Sequence, residues 1–411
     1  MKPTVLIAAT SHWFPAARLA MALASAGCTV NAVCPSRHSL GKMSVVRQTH
    51  LYRGLMPLNS FAHAITQTKP DLIVPGDDLA TSHLHRLHAR EQLRRDGGQA
   101  VCQLIERSLG TAESFPVVYA RAAFIEVARE EGARAPKTAV IANLQDLMDS
   151  VVHMGFPMVL KADGTSGGEG VRIVRTIDEA ERAFRILQAP PLLARAVKRA
   201  FMDRDKTLLW PSLLRHRSVV NAQAFVEGRE ATSTVACWEG NVLASLHFEV
   251  INKRDAAGPS SVLRAIENAE MLSTAEKMVR RLKLSGIHGF DFMLESHTGH
   301  AYLIEINPRS TQVGHLPLGP GRDLPAALYS VLSGDTFRAA PPVTEKDTIT
   351  LFPQEWLRDP ASPFLASGYH DVPWEEPELL RACIGKRWKQ NIRSSKNVAV
   401  QALSTVGLPR L

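Results

Sequence analysis

The sequence predicts an α/β protein: a Rossmann-like, doubly wound parallel sheet at the amino-terminal end, then an α+β region. Three observations lead there. Strand-like and helix-like segments alternate through residues 1–110, the order expected of a parallel sheet with crossover helices. A glycine-rich turn separates two strand-like runs between 158 and 175. Two apolar runs flank the polar loop Ser296 to His300, the pattern of a hairpin.

In chain order, residues 4–9 read as an apolar strand, 16–26 as a helix ended by Gly27, and 29–34 as a second strand. Residues 61–68 read as helix and 72–74 as strand, with Pro75-Gly76-Asp77-Asp78 beyond it. In such sheets the ligand-facing loops follow the carboxyl ends of the strands. That puts Thr10, Ser11 and His12, and separately Asp77 and Asp78, at the functional edge. No Gly-x-Gly-x-x-Gly follows the first strand, so a standard dinucleotide site is not supported. A helix is expected over 120–131, strands over 158–162 and 170–175, and a helix from the capping box Thr176-Ile-Asp-Glu179 to about Leu187. Residues 189–217, rich in Pro and Arg, read as an insertion. Strands follow at 219–226, 231–238 and 242–250, the last two joined by Glu239-Gly240-Asn241. Then come a helix over 269–284, the hairpin, and a helix over 324–333 ended by Gly334. The four regions expected are 1–110, 111–222, 223–338 and a small appended region 339–411 with a mobile end.

The composition, 45% hydrophobic and 21% charged in 411 residues, is that of an ordinary globular protein with a sizeable core. No apolar stretch reaches membrane-spanning length. Residues 1–28 superficially resemble a signal peptide, but His12, Pro15 and Arg18 interrupt the apolar region. The five cysteines are scattered without a Cys-x-x-Cys, which fits a reducing cytoplasm. The net charge of +8 is dispersed apart from Lys198-Arg199, Arg204, Lys206, Arg215, Arg217 and the tail Lys386-Arg387-Trp388-Lys389. No nucleic-acid motif accompanies it, and no nucleic-acid or membrane partner is expected.

The hairpin carries chemistry. With its loop centred on Thr298, Asp291 falls opposite Glu305. Alternation puts Glu305 and Asn307 on one face and Tyr302, Ile304 and Ile306 on the other. Like charges directly opposite are destabilising, so two carboxylates and an amide suggest a hard cation, most simply Mg²⁺, which usually shares its site with substrate phosphates. The alternative is a solvated strand face. In Lys161-Ala-Asp-Gly164-Thr-Ser-Gly167-Gly168-Glu-Gly170, four glycines within seven residues would let backbone amides approach an anion, with Lys161 supplying a point charge. The alternative is a flexible hairpin turn. In Gln223-Ala-Phe-Val226-Glu227-Gly228-Arg229-Glu230, a backbone edge beside apolar residues can hold a purine and a carboxylate can accept ribose hydroxyls, although Glu230 also reads as an ordinary surface residue. His83-x-His85-x-x-His88 looks like a metal cluster, but a solvated helix face is expected there.

In this order the three segments resemble the ATP-grasp superfamily over residues 110–335, with the alternating first domain resembling its usual preceding domain. The resemblance implies a two-subdomain α+β ATP-grasp fold and a ligase that activates a small-molecule carboxylate as an acyl phosphate and joins it to an amine. It implies that Lys161 contacts the α/β-phosphates, that Gly164, Ser166, Gly167 and Gly168 close over the triphosphate, and that Gln223 and the Val226 backbone hold adenine. Glu230 would take the ribose. Asp291, Glu305 and Asn307 would bind one or two Mg²⁺, with Mn²⁺ as a substitute. Arg309 would face the transferred phosphoryl or the substrate carboxylate. Arg121 stands where the family commonly has a first phosphate-binding Lys, and Gln223 where it has an acid. Lys253 and Arg254 are candidates for a further phosphate contact, and His12, Asp77, Asp78 and His315 for the acceptor substrate. The turn from Asn307 to His315 is similar to that of biotin carboxylase but one residue longer and without its glutamate. A homodimer through the first domain is implied. An ATP-binding regulatory module without turnover and a carboxylase-like activity are the alternatives.

Overall fold

The computed structural model describes residues 2–94, 98–164, 170–189, 218–255, 258–336, 338–381 and 383. Ser166, Gly167 and Gly168, most of the expected insertion, and the basic tail with Trp388 lie outside them. No helix among the described residues is long and apolar enough to cross a membrane.

The first sheet contains β1 (Thr4–Ala8), β2 (Thr29–Cys34), β3 (Val46–Leu51) and β4 (Leu72–Pro75), all parallel, in the order β3-β2-β1-β4. β1 is apolar without alternation because both of its faces are covered. Val5 and Ile7 enter one core, shared with the helix Pro15–Ser25, while Leu6 and Ala8 enter another under the helices Pro57–Thr68, Asp78–Gln92 and Gly98–Leu109. β3 was not expected. It is an edge strand with the sequence Val-Arg-Gln-Thr-His-Leu, largely exposed, and shows no apolar run. The chain runs outward from β1 to β2 on one side and returns to β4 on the other. The loops after β1 and β4 therefore meet at the switch point, where open α/β sheets bind ligands.

A second, antiparallel sheet has β5 (Thr138–Ile141), β6 (Met158–Ala162), β7 (Val171–Val174) and β8 (Val220–Ala224), in the order β5-β8-β6-β7. The helices Leu144–Met154 and Ile177–Gln188 cover one of its faces. Thr176 caps the latter by accepting from the Glu179 amide at 3.2 Å, while Glu179 reaches back to the Arg175 amide at 2.8 Å, one residue earlier than in a strict capping box. The expected 222/223 boundary falls inside β8.

The third sheet comprises β9 (Gly228–Trp238), β10 (Asn241–Lys253), β11 (Ser260–Ala265), β12 (Gly286–Glu295), β13 (Ala301–Asn307), β14 (Thr348–Leu351) and β15 (Tyr369–Asp371). Their order is β13-β12-β9-β10-β11-β14-β15. This corrects the expectation of an appendage after 339. β14 extends the large sheet from β11, and Ile349 and Leu351 lie in the core shared with the first sheet. The Pro- and Trp-rich composition concealed two short strands.

The His83, His85 and His88 reading is also corrected. His83 and His88 are buried, and His85 stacks on Phe115 at a centroid distance of 3.6 Å. His83 Nε2 lies 3.1 Å from the Tyr52 hydroxyl and His88 Nε2 2.6 Å from Glu106. Their helix is packed between neighbours on both sides, so these imidazoles are packing groups.

His315, expected near substrate, is buried instead in a clasp that ties three parts of the chain together. Its Nε2 lies 2.7 Å from Asp371 Oδ2 on β15, and Arg18 of the first helix pairs with the same carboxylate. Burial pushes the Asp371 carboxyl up, but His315 and Arg18 outweigh it and hold the group well below the usual carboxylate range. Asp371→Asn leaves Arg18 without its counter-charge and should cost about 3 kcal/mol, the loss typical of breaking a buried pair. A reduced urea midpoint of unfolding would show it.

Candidate active site

Asp291 on β12 pairs with Glu305 on β13, and on its other side with Thr232 on β9. The pairing shifts by one residue between Asp291 and Phe292, which leaves Ile304 as an extra residue on β13. The bulge changes the expected faces. Ala301, Leu303 and Ile306 pack toward the core with Phe290, Phe292 and Leu294, so Tyr302, opposite Met293, joins Glu305 and Asn307 on the site face. A strict period of two misplaces Tyr302 because it cannot register the extra residue.

Asp291 accepts hydrogen bonds from Thr232 Oγ1 and Asn307 Nδ2, each at 2.9 Å. Burial, and then the charge of Glu305, push its carboxyl up to about 6. Glu305 is met by two cations. Arg121 Nη2 lies 3.4 Å from its Oε2, and Lys161 Nζ lies 3.9 Å from the same oxygen. Lys161 is buried on β6, and burial lowers its ammonium pKa while Glu305 pulls it back up. Arg121 opens the helix Arg121–Glu130, donates to the Ala162 carbonyl at 2.5 Å and lies 3.9 Å from Asp163. Residues forty apart in sequence thus place two cations against one carboxylate of the hairpin.

The donor set fits a hard divalent cation. Asp291 and Glu305 supply two carboxylates whose mutual repulsion an ion would relieve. Asn307 turns its amide N–H toward Asp291 and its Oδ1 toward Arg309 Nη2 at 3.0 Å, so it would need to rotate its amide to become a ligand. Among the described residues no group of three His, Cys, Asp or Glu side chains could hold a metal. Two carboxylates are the kind of partial set that suits Mg²⁺, which keeps waters and substrate oxygens.

Around this centre, Gly164 has a φ of +71°, a conformation that suits glycine at the entrance of the loop. Gln223 is buried on β8. Its Nε2 donates to Thr138 Oγ1 at 3.1 Å and to the carbonyl of the bulged Ile304 at 3.4 Å. What it can offer a ligand is therefore Oε1. Val226 lies half-buried between β8 and β9. Glu230 is exposed on β9, opposite Met293, and receives Lys253 Nζ at 2.7 Å. Arg254 pairs with its neighbour Asp255 at 3.2 Å. Glu230, Lys253, Arg254 and Arg358 line a cleft of about 520 Å³. Another cleft, about 420 Å³, lies between Arg134 and the helix Ala269–Arg281 and contains none of the expected site residues.

Arg309 donates from Nε to Asp78 Oδ1 at 3.1 Å. Asp77 caps the helix Asp78–Gln92 at the Ala80 amide (2.9 Å) and also accepts from the Thr10 amide and hydroxyl, each at 2.7 Å, and from the Ser11 amide at 3.1 Å. It ties the loops after β1 and β4 together and has little left for an acceptor. His12 is exposed and stacks on His38 at 5.5 Å. The sequence reading missed Thr232. The alternation Glu230-x-Thr232 on one strand face was the signal available for it.

Residues 120–316 match the family model described as carbamoyl-phosphate synthase L chain, ATP binding domain. The carbamoyl phosphate synthase large chain of Pasteurella multocida is 22% identical over 236 residues, which are 56% of this chain and 20% of that protein. That of Bifidobacterium animalis subsp. lactis is 23% identical over 257 residues, 58% of this chain and 21% of that one. The chain thus spans about a fifth of the length of these relatives. Among solved structures, the biotin carboxylase domain dimer of Hydrogenobacter thermophilus 2-oxoglutarate carboxylase, in complex with MgADP, ADP and bicarbonate, superposes with a TM-score of 0.59. It is 16% identical and covers 83% of this chain and 72% of that one. Staphylococcus aureus N5-carboxyaminoimidazole synthetase complexed with ADP gives 0.56 at 15% identity, covering 82% and 80%. At such identities the likeness establishes the fold. With the family match across the strands that carry Lys161, Asp291 and Glu305, it makes residues 120–316 a member of the ATP-grasp superfamily.

Proposed function

We propose that this chain is an ATP- and Mg²⁺-dependent ligase that activates a small-molecule carboxylate as an acyl phosphate and joins it to an amine. The observation that carries the reading is the convergence of Arg121 and Lys161 on Glu305, opposite Asp291. Cations placed beside a metal-binding carboxylate can neutralise a triphosphate in a partly dry site. Bound at Asp291 and Glu305, with Asn307 joining them, Mg²⁺ would supply Lewis-acid polarisation of the phosphates, and Mn²⁺ suits the same oxygens. Lys161 and Arg121 hold the phosphates, Gly164, Ser166, Gly167 and Gly168 enclose them, Gln223 Oε1 and the Val226 backbone take adenine, and Glu230 takes the ribose. Lys253 leaves Glu230 to meet the phosphates, with Arg254 nearby. Arg309 faces the transferred phosphoryl or the substrate carboxylate. One carboxylate oxygen attacks the γ-phosphorus and the bond to the ADP oxygen breaks. The amine nitrogen then adds to the acyl carbon, phosphate leaves, and the amine loses a proton.

The test is ATP-dependent phosphate release across a panel of amino acids, small carboxylates and bicarbonate. Release that requires a carboxylate together with an amine, with ¹⁸O passing from the carboxylate to phosphate, supports the proposal. Nucleotide binding without release across the panel would favour a regulatory module. Bicarbonate-dependent release would favour the carboxylase-type reading, for which the bicarbonate in the Hydrogenobacter complex is the motive. A homodimer belongs to the same reading, and light scattering would test it.

The raised carboxyl of Asp291 gives a pH prediction. Its ionisation costs the metal-free fold stability as pH rises from the unfolded value of 3.8 through about 6. Mg²⁺ binds only the ionised form. Its stabilising effect on Tm should therefore be larger at pH 7.5 than at pH 5.5, as differential scanning fluorimetry with and without Mg²⁺ would reveal.

A further inference from the structure

We infer that Asp78, which lies outside the 120–316 segment, is a positioning residue for Arg309, so that the amino-terminal sheet completes the phosphoryl-binding end of the site. The inference rests on the nucleotide reading proposed above.

The geometry runs through one guanidinium. A guanidinium has five N–H donors. In Arg309, Nε donates to Asp78 Oδ1 at 3.1 Å, Nη2 to Asn307 Oδ1 at 3.0 Å and Nη1 to the Ser310 carbonyl at 3.2 Å. Three donors are engaged, and about two remain for a phosphoryl or carboxylate oxygen, enough for bidentate capture. Of the three anchors, the Asp78 carboxylate alone is charged and alone comes from another part of the chain. Asp78 is itself fixed. Asp77 caps its helix, and the Tyr119 hydroxyl donates to the Asp78 carbonyl at 3.1 Å. Two further contacts clamp this corner to the turn that carries Arg309: Thr81 Oγ1 donates to the Pro308 carbonyl at 2.7 Å, and the Ser310 amide to the Pro75 carbonyl at 3.3 Å. A long, flexible side chain is thereby held in one orientation before any ligand arrives, which lowers the entropy lost on binding.

Calorimetric titration of the full chain with MgADP and with Mg²⁺ and a non-hydrolysable ATP analogue tests this without knowledge of the acceptor. The comparison needs wild type, Asp78→Ala, Arg309→Ala and the double variant. Each single change should reduce the preference for the triphosphate over ADP about tenfold, the order expected for a charge-assisted hydrogen bond. ADP affinity should stay within about twofold, and the double variant should lose no more than Arg309→Ala alone. Asp78→Asn keeps an acceptor for Nε and should recover part of the preference, which separates positioning from a folding defect. An unchanged preference in Asp78→Ala, additive losses in the double variant, or no loss in Arg309→Ala would each overturn the inference. Failure of the unmutated chain to bind either nucleotide would instead overturn the nucleotide reading on which it stands.

Discussion

Glu305→Gln is expected to lower ATP turnover by about 10²–10³-fold, the loss typical when one preorganised electrostatic group is removed. Two effects combine. The substitution takes one carboxylate from the pair that would hold the metal, leaving Asp291 as the sole anion of the floor. It also removes the group that counteracts the desolvation of Lys161, so the Lys161 ammonium becomes easier to deprotonate. Arg121 Nη2 loses its counter-ion as well. The fold should survive, because Gln has the shape of Glu and the replaced side chain is 23% exposed. Loss of the repulsion with Asp291 should even favour the metal-free state, since that repulsion is one reason the Asp291 carboxyl lies near 6. The measurements are phosphate release under saturating ATP against Mg²⁺ concentration, and the circular dichroism melt. Wild-type turnover in a folded Glu305→Gln protein would remove the hairpin from the metal role.

The pattern of these residues explains what the sequence revealed and what it hid. Asp291 opposite Glu305 was expected from a loop centred on Thr298, yet the pairs beside the loop, Leu294 with Ala301 to Phe292 with Leu303, would if continued set Asp291 opposite Ile304, and it is the bulge that brings Glu305 to face it. The bulge at Ile304 escaped because one inserted residue leaves no mark on composition, and it moved Tyr302 to the site face. The parallel sheet was legible from unbroken apolar strands covered on both sides, whereas β3, polar at a sheet edge, and β14, a short strand in a Pro- and Trp-rich stretch, were not. The pairing of Arg309 with Asp78 spans 231 residues, and a contact of that separation depends on how the first sheet meets the turn after β13. For the same reason His315 looked like a site residue. Its partners Asp371 and Arg18 come from opposite ends of the described chain, and only the fold shows that they occupy it.

Lys161→Met is the change for which function and stability should part most clearly. A buried ammonium is costly unless it is paired, and the Glu305 oxygen, at 3.9 Å, is beyond hydrogen-bonding range. Because burial lowers the Lys161 pKa, the side chain costs stability that builds up as pH falls from the ordinary value of 10.5 to the lowered folded value and stays constant below it. Methionine has a similar length and no charge, so it can fill the buried position without the desolvation cost of an ammonium. The variant should melt at or above the wild-type temperature. Turnover should nevertheless fall by about 10²–10³-fold, with a raised KM for ATP as well as a lowered kcat, because a phosphate contact contributes to nucleotide binding and to the transition state. Arg121 remains beside Glu305 and would sustain the residual rate, so Arg121→Met added to Lys161→Met should lower it further. A stable and inactive protein is the signature of a residue kept for chemistry at a cost to the fold. A Lys161→Met protein that melts several degrees lower and turns over ATP normally would show that the ammonium is a structural counter-ion to Glu305 and not a phosphate ligand.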